Sequence, residues 1–142
     1  MNRVFQTIAA ALALSFLAGC GVKKYPTITP GAPVHAGIVE MHLKPQHPLP
    51  GEPWRAVMVV ANHDKKNMIK DIGYVMRIPE KNLEIGRGNI GKMVPDTVLN
   101  ISSDDVQLPA GTYKVEGVLY LPRSYEKSGN PHRVVMTVTV GE

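Results

Sequence analysis

The sequence predicts an all-β protein, built as an antiparallel sandwich of about seven strands. Seven runs between residues 37 and 140 either alternate apolar and polar side chains or are apolar at nearly every position, as strands do. Clusters rich in Pro, Gly, Asn, Asp and Lys separate the runs. No segment of this region keeps a helical period, so short strands joined by frequent turns are the expected architecture.

The first two strands are expected to differ in their surroundings. In the run 37–43 apolar and polar residues alternate, which predicts that Val39 faces the core and Glu40 faces solvent. The run 54–62 is apolar at nearly every position. It is therefore predicted to be a central strand that is covered on both sides.

The remaining strands follow in order along the chain. Residues 71–78 place alternate apolar side chains on one face, and the runs 82–86 and 97–102 are shorter candidates. Long alternating runs occupy 112–121 and 133–140. Methionines inside the strand runs are predicted to fill the core; they are Met41, Met58, Met76 and Met136.

A turn and a tyrosine before the sixth strand carry a family resemblance. In the stretch LPAGTYKV, Leu108 and Pro109 form a turn and Tyr113 opens a long strand. This resembles the tyrosine corner of immunoglobulin and fibronectin type III domains, in which the phenol bonds back to nearby backbone. The wider layout also resembles bacterial adhesion modules of the CARDB kind. The resemblance implies an immunoglobulin-like sandwich.

The amino-terminal segment, residues 1–19, is expected to be a secretory signal peptide. Arg3 is its only charge, and a short apolar run follows that ends in small residues. The run is too short to span a bilayer, which takes about 20 residues. The residues Leu17 to Cys20 read LAGC, which resembles the lipobox of bacterial lipoproteins.

The lipobox resemblance implies a covalent lipid on Cys20. In that family the signal is cut before the cysteine, the thiol takes a diacylglycerol, and the freed amine is acylated. Cys20 is the only cysteine, so it has no internal disulfide partner. Gly21 stands where Asp retains such proteins in the inner membrane. The resemblance therefore implies an outer-membrane protein on the periplasmic face, in a Gram-negative host.

Residues 20–36 are expected to form a lipidated tether, with the sandwich occupying 37–142. The tether is rich in Pro and Gly, and such chain is extended at about 3.1 Å per residue, so it reaches up to roughly 50 Å. Lys23 and Lys24 either contact anionic lipid, at about 1 kcal/mol each, or are ordinary solvated charges.

The spacing of the candidate catalytic and metal-binding residues favours a protein that is not an enzyme. Five histidines and seven methionines suggest a metal site, but their spacing brings no matched ligands together. Asp104 and Asp105 are expected to form a turn, and neither Ser102 nor Ser103 has a histidine nearby in the sequence. The stretch GRGNIG, residues 86–91, is expected to be a turn, because no helix follows it to bind a phosphate. No metal or cofactor is expected apart from the lipid on Cys20.

Basic loops are the expected interaction surface. In a sandwich of this order, the loops after the second and sixth long strands meet at one end, and the chain enters the first strand at that end. The residues proposed to contact a protein or membrane partner are Lys65, Lys66, Lys70, Arg123, Tyr125, Lys127, His132 and Arg133, with Arg87 and Lys92 expected on a loop between them. The alternative is that these are ordinary surface charges. The net charge of +4, without a basic stripe, argues against nucleic acid.

Three functions remain open from the sequence. The first is a membrane-anchored, non-enzymatic module for protein interaction or assembly. The second is an accessory lipoprotein subunit of an envelope-spanning secretion complex. The third is a periplasmic protein that binds a metal or a small ligand.

Overall fold

A computed structural model describes residues 36–120 and 132–141 of the chain. Nine strands lie within these residues, with a 3-10 turn at Pro79–Lys81. The strands are β1 (Ala36–Lys44), β2 (Arg55–Asn62), β3 (Ile69–Lys70), β4 (Gly73–Ile78), β5 (Leu83–Asn89), β6 (Lys92–Met93), β7 (Thr97–Ser102), β8 (Gly111–Tyr120) and β9 (His132–Val140). The seven long strands coincide with the seven predicted runs, which confirms the predicted fold class.

The long strands form two antiparallel sheets. One sheet has the order β1-β2-β7 and the other has the order β5-β4-β8-β9, while β3 and β6 make a small ribbon beside them. This is the strand order of an immunoglobulin-like sandwich of the fibronectin type III kind. β2 is the central strand of its sheet, as its apolar composition predicted, and six of its eight residues are buried.

The core lies between the two sheets. Its largest fully buried side chains include Trp54, Met58, Ile72, Met76 and Leu119. Each such aliphatic side chain contributes about 1.5–3 kcal/mol relative to exposure. Of the methionines predicted to fill the core, Met58 and Met76 are fully buried, and the other two are half-buried against the core. Met93, which lies outside the predicted strand runs, is in β6 and is also fully buried.

The tyrosine corner is present. The hydroxyl of Tyr113, the third residue of β8, donates a hydrogen bond of 2.8 Å to the carbonyl of Pro109. The Tyr113 ring is buried, and the ammonium of Lys81 lies 5.7 Å from its centre. The corner fixes the turn that leads from one sheet to the other, in the manner of immunoglobulin-like domains.

The predicted orientation of Val39 is wrong. The register between β1 and β2 shifts between Ile38 and Glu40, so Val39 is the extra residue of a β-bulge and is 53% exposed. Ile38 takes its place in the core. A bulge adds one residue and reverses the alternation on one side of it, and plain alternation along the sequence does not reveal the insertion.

The predicted glycine turn at residues 86–91 is also wrong in its first half. Gly86 and Gly88 lie inside β5 and oppose Met76 and Tyr74 of β4. A Cβ at Gly88 would lie 2.9 Å from the ring of Tyr74. The glycines therefore allow large side chains of the neighbouring strand to pass into the core.

The two sheets are tied together at both sides. On one side the Ile38 amide donates to Nδ1 of His132 over 2.8 Å, and the Gly141 amide donates to the Pro48 carbonyl. On the other side the Asp104 amide donates 2.7 Å to the carbonyl of Ile85. These bonds satisfy edge groups that would otherwise have no partner in the fold.

Candidate interaction surfaces

The loop that joins β2 to β3 is built around two polar side chains. Asn62 is buried, and its amide nitrogen lies within hydrogen-bonding distance of the carbonyls of Asn67, Met93 and Val94. The Asp64 carboxylate accepts bonds from the amides of Lys66 and Asn67, which closes a turn of the Asx type. The loop is therefore held in one shape, and it presents the neighbouring lysines to solvent.

The lysines at this end form a basic group, which we call the basic loop end: Lys65, Lys66, Lys70 and Lys92. Lys65 and Lys66 are exposed, and Lys70 stands opposite Lys92 in the β3–β6 ribbon. The carboxylates nearby are Asp64, which is turned into its own loop, and the exposed Asp71 and Asp96. The described part of this end is thus only slightly basic, and less so than the sequence suggested.

Arg87 and Arg133 lie on a different surface. Arg87 is in β5, opposite Val75, and not on a loop as expected. Arg133 is in β9, opposite Val118. Met76 and Leu119 point into the core, so the residues before them, Val75 and Val118, point to the outer face of the four-stranded sheet. Arg87 and Arg133 stand opposite these two valines and therefore share that outer face.

We call this outer surface, with Arg77, Arg87, Arg133 and Glu116, the arginine face. A network of ion pairs covers it. Glu116 of β8 is 7% exposed. Its Oε1 accepts a bond of 2.9 Å from Nη2 of Arg77 and lies 3.2 Å from Nε of Arg133. Arg87 pairs with Glu84, three residues earlier on the same strand, and this contact raises the pKa of Arg87. The cross-strand pairs of Arg77 and Arg133 with Glu116 stabilise the sheet.

A groove lies beside the network, between β4, β5 and the 3-10 turn. Its volume is about 370 Å³, and its walls include Val75, Arg77, Leu83 and Arg87. Apolar side chains and the two guanidinium groups line this groove together. Each guanidinium has five N–H donors and uses only part of them on its glutamate, so the groove can offer hydrogen bonds to an acceptor.

The remaining predicted site residues divide into two groups. His132 is described, and its Nδ1 accepts the Ile38 amide, which gives it a role in joining the sheets. Four predicted residues lie outside the described residues, namely Cys20, Arg123, Tyr125 and Lys127. The predicted signal peptide and tether lie there as well.

Two of the four side chains considered as catalytic candidates, Ser103 and Asp105, have partners within the fold. The Ser103 hydroxyl accepts the Ala56 amide and donates to the Asp104 carbonyl. Asp105 pairs with Arg55 at 2.5 Å, and the hydrogen bond from Arg55 lowers the pKa of Asp105.

The described residues contain neither a candidate metal-ion cluster nor a membrane-spanning helix. Among residues 36–120 and 132–141, no three His, Cys, Asp or Glu side chains form a group that could hold a metal ion. The same part of the chain has no helix with the length and apolar character needed to cross a membrane.

Sequence reasoning missed Arg77 and Glu116, the centre of the arginine face. They are 39 residues apart, and only the pairing of β4 with β8 brings them together. A signal was present, since each is a charged residue inside a predicted strand: Arg77 in the run 71–78 and Glu116 in the run 112–121. Matching them requires the strand register, which the sequence does not give.

Together, the strand order and the tyrosine corner define an immunoglobulin-like β-sandwich domain. Its fold is similar to the crystal structure of the C-terminal domain of wzt, with a TM-score of 0.50 and 14% sequence identity. That match covers 78% of this chain and 75% of the other. No family model matches the chain, and no curated protein matches it. At this identity the similarity shows the fold alone.

Proposed function

We propose that this protein is a lipid-anchored, non-enzymatic interaction module of a bacterial envelope. In this proposal Cys20 carries the lipid, the chain faces the periplasm from the outer membrane, and the sandwich meets a protein partner. The LAGC motif at the end of a short apolar leader supports the anchor. Several acyl chains on one cysteine are sufficient for stable membrane attachment.

One observation about the fold carries the proposed orientation. β1 begins at Ala36, which pairs with Asn62, and Asn62 opens the loop that bears Lys65 and Lys66. The tether therefore joins the domain at the basic loop end. Because the tether joins here, this end is the one nearest the anionic headgroups when the domain approaches the membrane, and each lysine near the surface then adds about 1 kcal/mol. The opposite end and both sheet faces then remain available to a partner.

The orientation is tested by reversing charge at one end of the sandwich. The variant Lys65→Glu/Lys66→Glu changes the basic loop end. The control Lys44→Glu/Lys114→Glu makes the same charge change at the other end, because Lys44 ends β1 and Lys114 lies near the start of β8. The measurement is contact between a photo-crosslinker and vesicles that contain anionic lipid, with the full chain inserted. In every chain the crosslinker replaces either the exposed His63, at the basic loop end, or the exposed Gln46, near the other end.

The expected result is lipid crosslinking from residue 63 in the control and in the native chain. The Lys65→Glu/Lys66→Glu variant should lose at least half of that crosslinking, and added salt should lower it as well. Equal crosslinking from both ends in every variant would contradict the orientation. Metabolic labelling with an alkyne fatty acid, present in the native chain and absent in Cys20→Ala, tests the anchor itself.

A further inference from the structure

Within residues 36–120 and 132–141, one edge of the three-stranded sheet has no strand beside it. β7 pairs with β2 on one side only. The Ser103 amide donates to the Ala56 carbonyl, so Ser103 is turned toward β2. Hydrogen-bonded positions alternate along an antiparallel ladder, so Ile101 and Leu99 face β2 as well. The amides and carbonyls of Val98, Asn100 and Ser102 consequently point outward, and they have no partner within the described residues.

The limits of this open edge are set by the fold. Beyond its carboxyl end, the Asp104 amide already donates to β5 at Ile85. Before its amino end, the Asp96 amide donates to the Asp64 carbonyl. The free stretch runs from Val98 to Ser102, which is about 14 Å at the rise of an antiparallel strand. It accepts a segment of five or six residues.

The composition of β7 leaves this edge unprotected. Its sequence, TVLNIS, contains no charge and no proline, the two devices with which soluble proteins usually block strand addition. Leu99 and Ile101 face the core but are only half-buried, and Val98 is 62% exposed. The inward-facing residues of an added strand would cover the side chains of Leu99 and Ile101.

Charge at the edge argues against a second copy of this chain. A two-fold axis through Asn100 would pair the outward positions of two β7 strands. It would also place Asp96 of one copy opposite Asp104 of the other, and like charges opposite each other are destabilising. Asp104 is exposed and forms no salt bridge within the described residues. A strand that begins with a basic residue would instead be attracted there.

We propose that β7 receives an extended segment of a partner protein, which adds to the sheet as an antiparallel strand. This segment carries Lys or Arg at its amino-terminal end, beside Asp104, and apolar β-branched residues opposite Ile101 and Leu99. Backbone bonds to Val98, Asn100 and Ser102 provide affinity, as in other cases of strand addition. The inference rests on the proposed role as an interaction module and names the surface and partner for it.

The test uses defined peptides and the full chain in detergent. The first probe is the capped peptide Lys-Val-Thr-Val-Thr-Val, and the matched probe replaces its Lys with Glu. Binding is followed by fluorescence anisotropy, and the amides of the edge are followed by NMR hydrogen exchange. Binding of the first probe should slow exchange at Val98, Asn100 and Ser102, and it should be about three- to tenfold tighter than binding of the second probe at low salt.

Two variants locate the binding. Asn100→Pro removes an outward N–H and leaves the bonds to β2 intact, so it should abolish protection of the edge. Asp104→Asn removes the edge charge without changing the backbone, so the two probes should bind it with equal affinity. This second variant keeps the test valid even if Asn100→Pro fails to fold. Lys65→Glu/Lys66→Glu should bind both probes normally, which separates this inference from the proposed membrane orientation.

Three outcomes would overturn the proposal. In the first, neither peptide slows exchange at the edge amides. In the second, the Glu peptide binds as tightly as the Lys peptide to the native chain. In the third, the chain alone sediments as a dimer that Asn100→Pro dissociates, because a second copy would then be the occupant of β7.

Discussion

Removing both arginines from Glu116 should destabilise the protein by more than the two single changes together. The Glu116 carboxylate is almost wholly buried, and its side chain is 9% exposed. The guanidinium groups of Arg77 and Arg133 are about half exposed, at 46% and 54%. Water therefore screens each pair, so a single loss costs only about 0.5–1 kcal/mol while the other arginine still faces the carboxylate.

The double change leaves a buried carboxylate without a cation. An unpaired buried charge costs several kcal/mol, and partial screening here lowers the expected total to about 2.5–3.5 kcal/mol. The coupling free energy between Arg77→Ala and Arg133→Ala is therefore expected to be about 1 kcal/mol or more, typical of residues that share one partner. Arg87→Ala is the control, because its partner Glu84 lies at an exposed position and its loss should leave stability unchanged.

The assay is urea unfolding of the full chain in detergent, with the four members of the double-mutant cycle measured at the same pH and salt. The two single variants and the double variant should unfold at successively lower urea concentrations with similar slopes. Additivity of the two single changes within about 0.3 kcal/mol would show that Glu116 is solvated in solution, and the reasoning from its burial would then be wrong.

Three further predictions concern the corner, the glycines of β5 and acid stability. Tyr113→Phe loses the bond to the Pro109 carbonyl and should lower the free energy of unfolding by about 0.5–1.5 kcal/mol, measured by urea unfolding. Gly88→Ala places a methyl group 2.9 Å from the Tyr74 ring and should cost about 1–3 kcal/mol, whereas Gly73→Ala, with its nearest atom at 3.7 Å, should unfold close to the native chain. The pKa of Asp105 lies below its ordinary value because of Arg55, so the stability that this pair contributes is present above pH 3.8 and is lost as pH falls through the lowered pKa. In thermal unfolding between pH 6 and pH 2, Asp105→Asn should therefore lose less stability in acid than the native chain. An equal loss of stability in the two chains would contradict the pairing.

Most of the fold followed from the sequence because the strands obey simple alternation. β4, β8 and β9 each have one apolar and one polar face, so their inward residues could be assigned without the structure. The corner at Tyr113 was visible as a local pattern, since its acceptor lies only four residues earlier. Local signals of this kind need no knowledge of pairing.

The errors arose where a feature depends on a neighbouring strand. The bulge at Val39 exists only relative to β2, and the glycines of β5 are explained by Tyr74 and Met76 across the ladder. The arginine face needed the register of β4 with β8. Arg87 was expected in a loop because a charged residue within a short strand looks the same in sequence as a charged loop residue.

The most direct test of a lipid-anchored sandwich is the mass of the amino terminus after purification from the native envelope. The proposal predicts that the chain begins at Cys20, that residues 1–19 are absent, and that the first residue carries a thioether-linked diacylglycerol and an amide-linked acyl chain. A chain that still begins at Met1, with a thiol at Cys20 that reacts freely with an alkylating reagent, would contradict it.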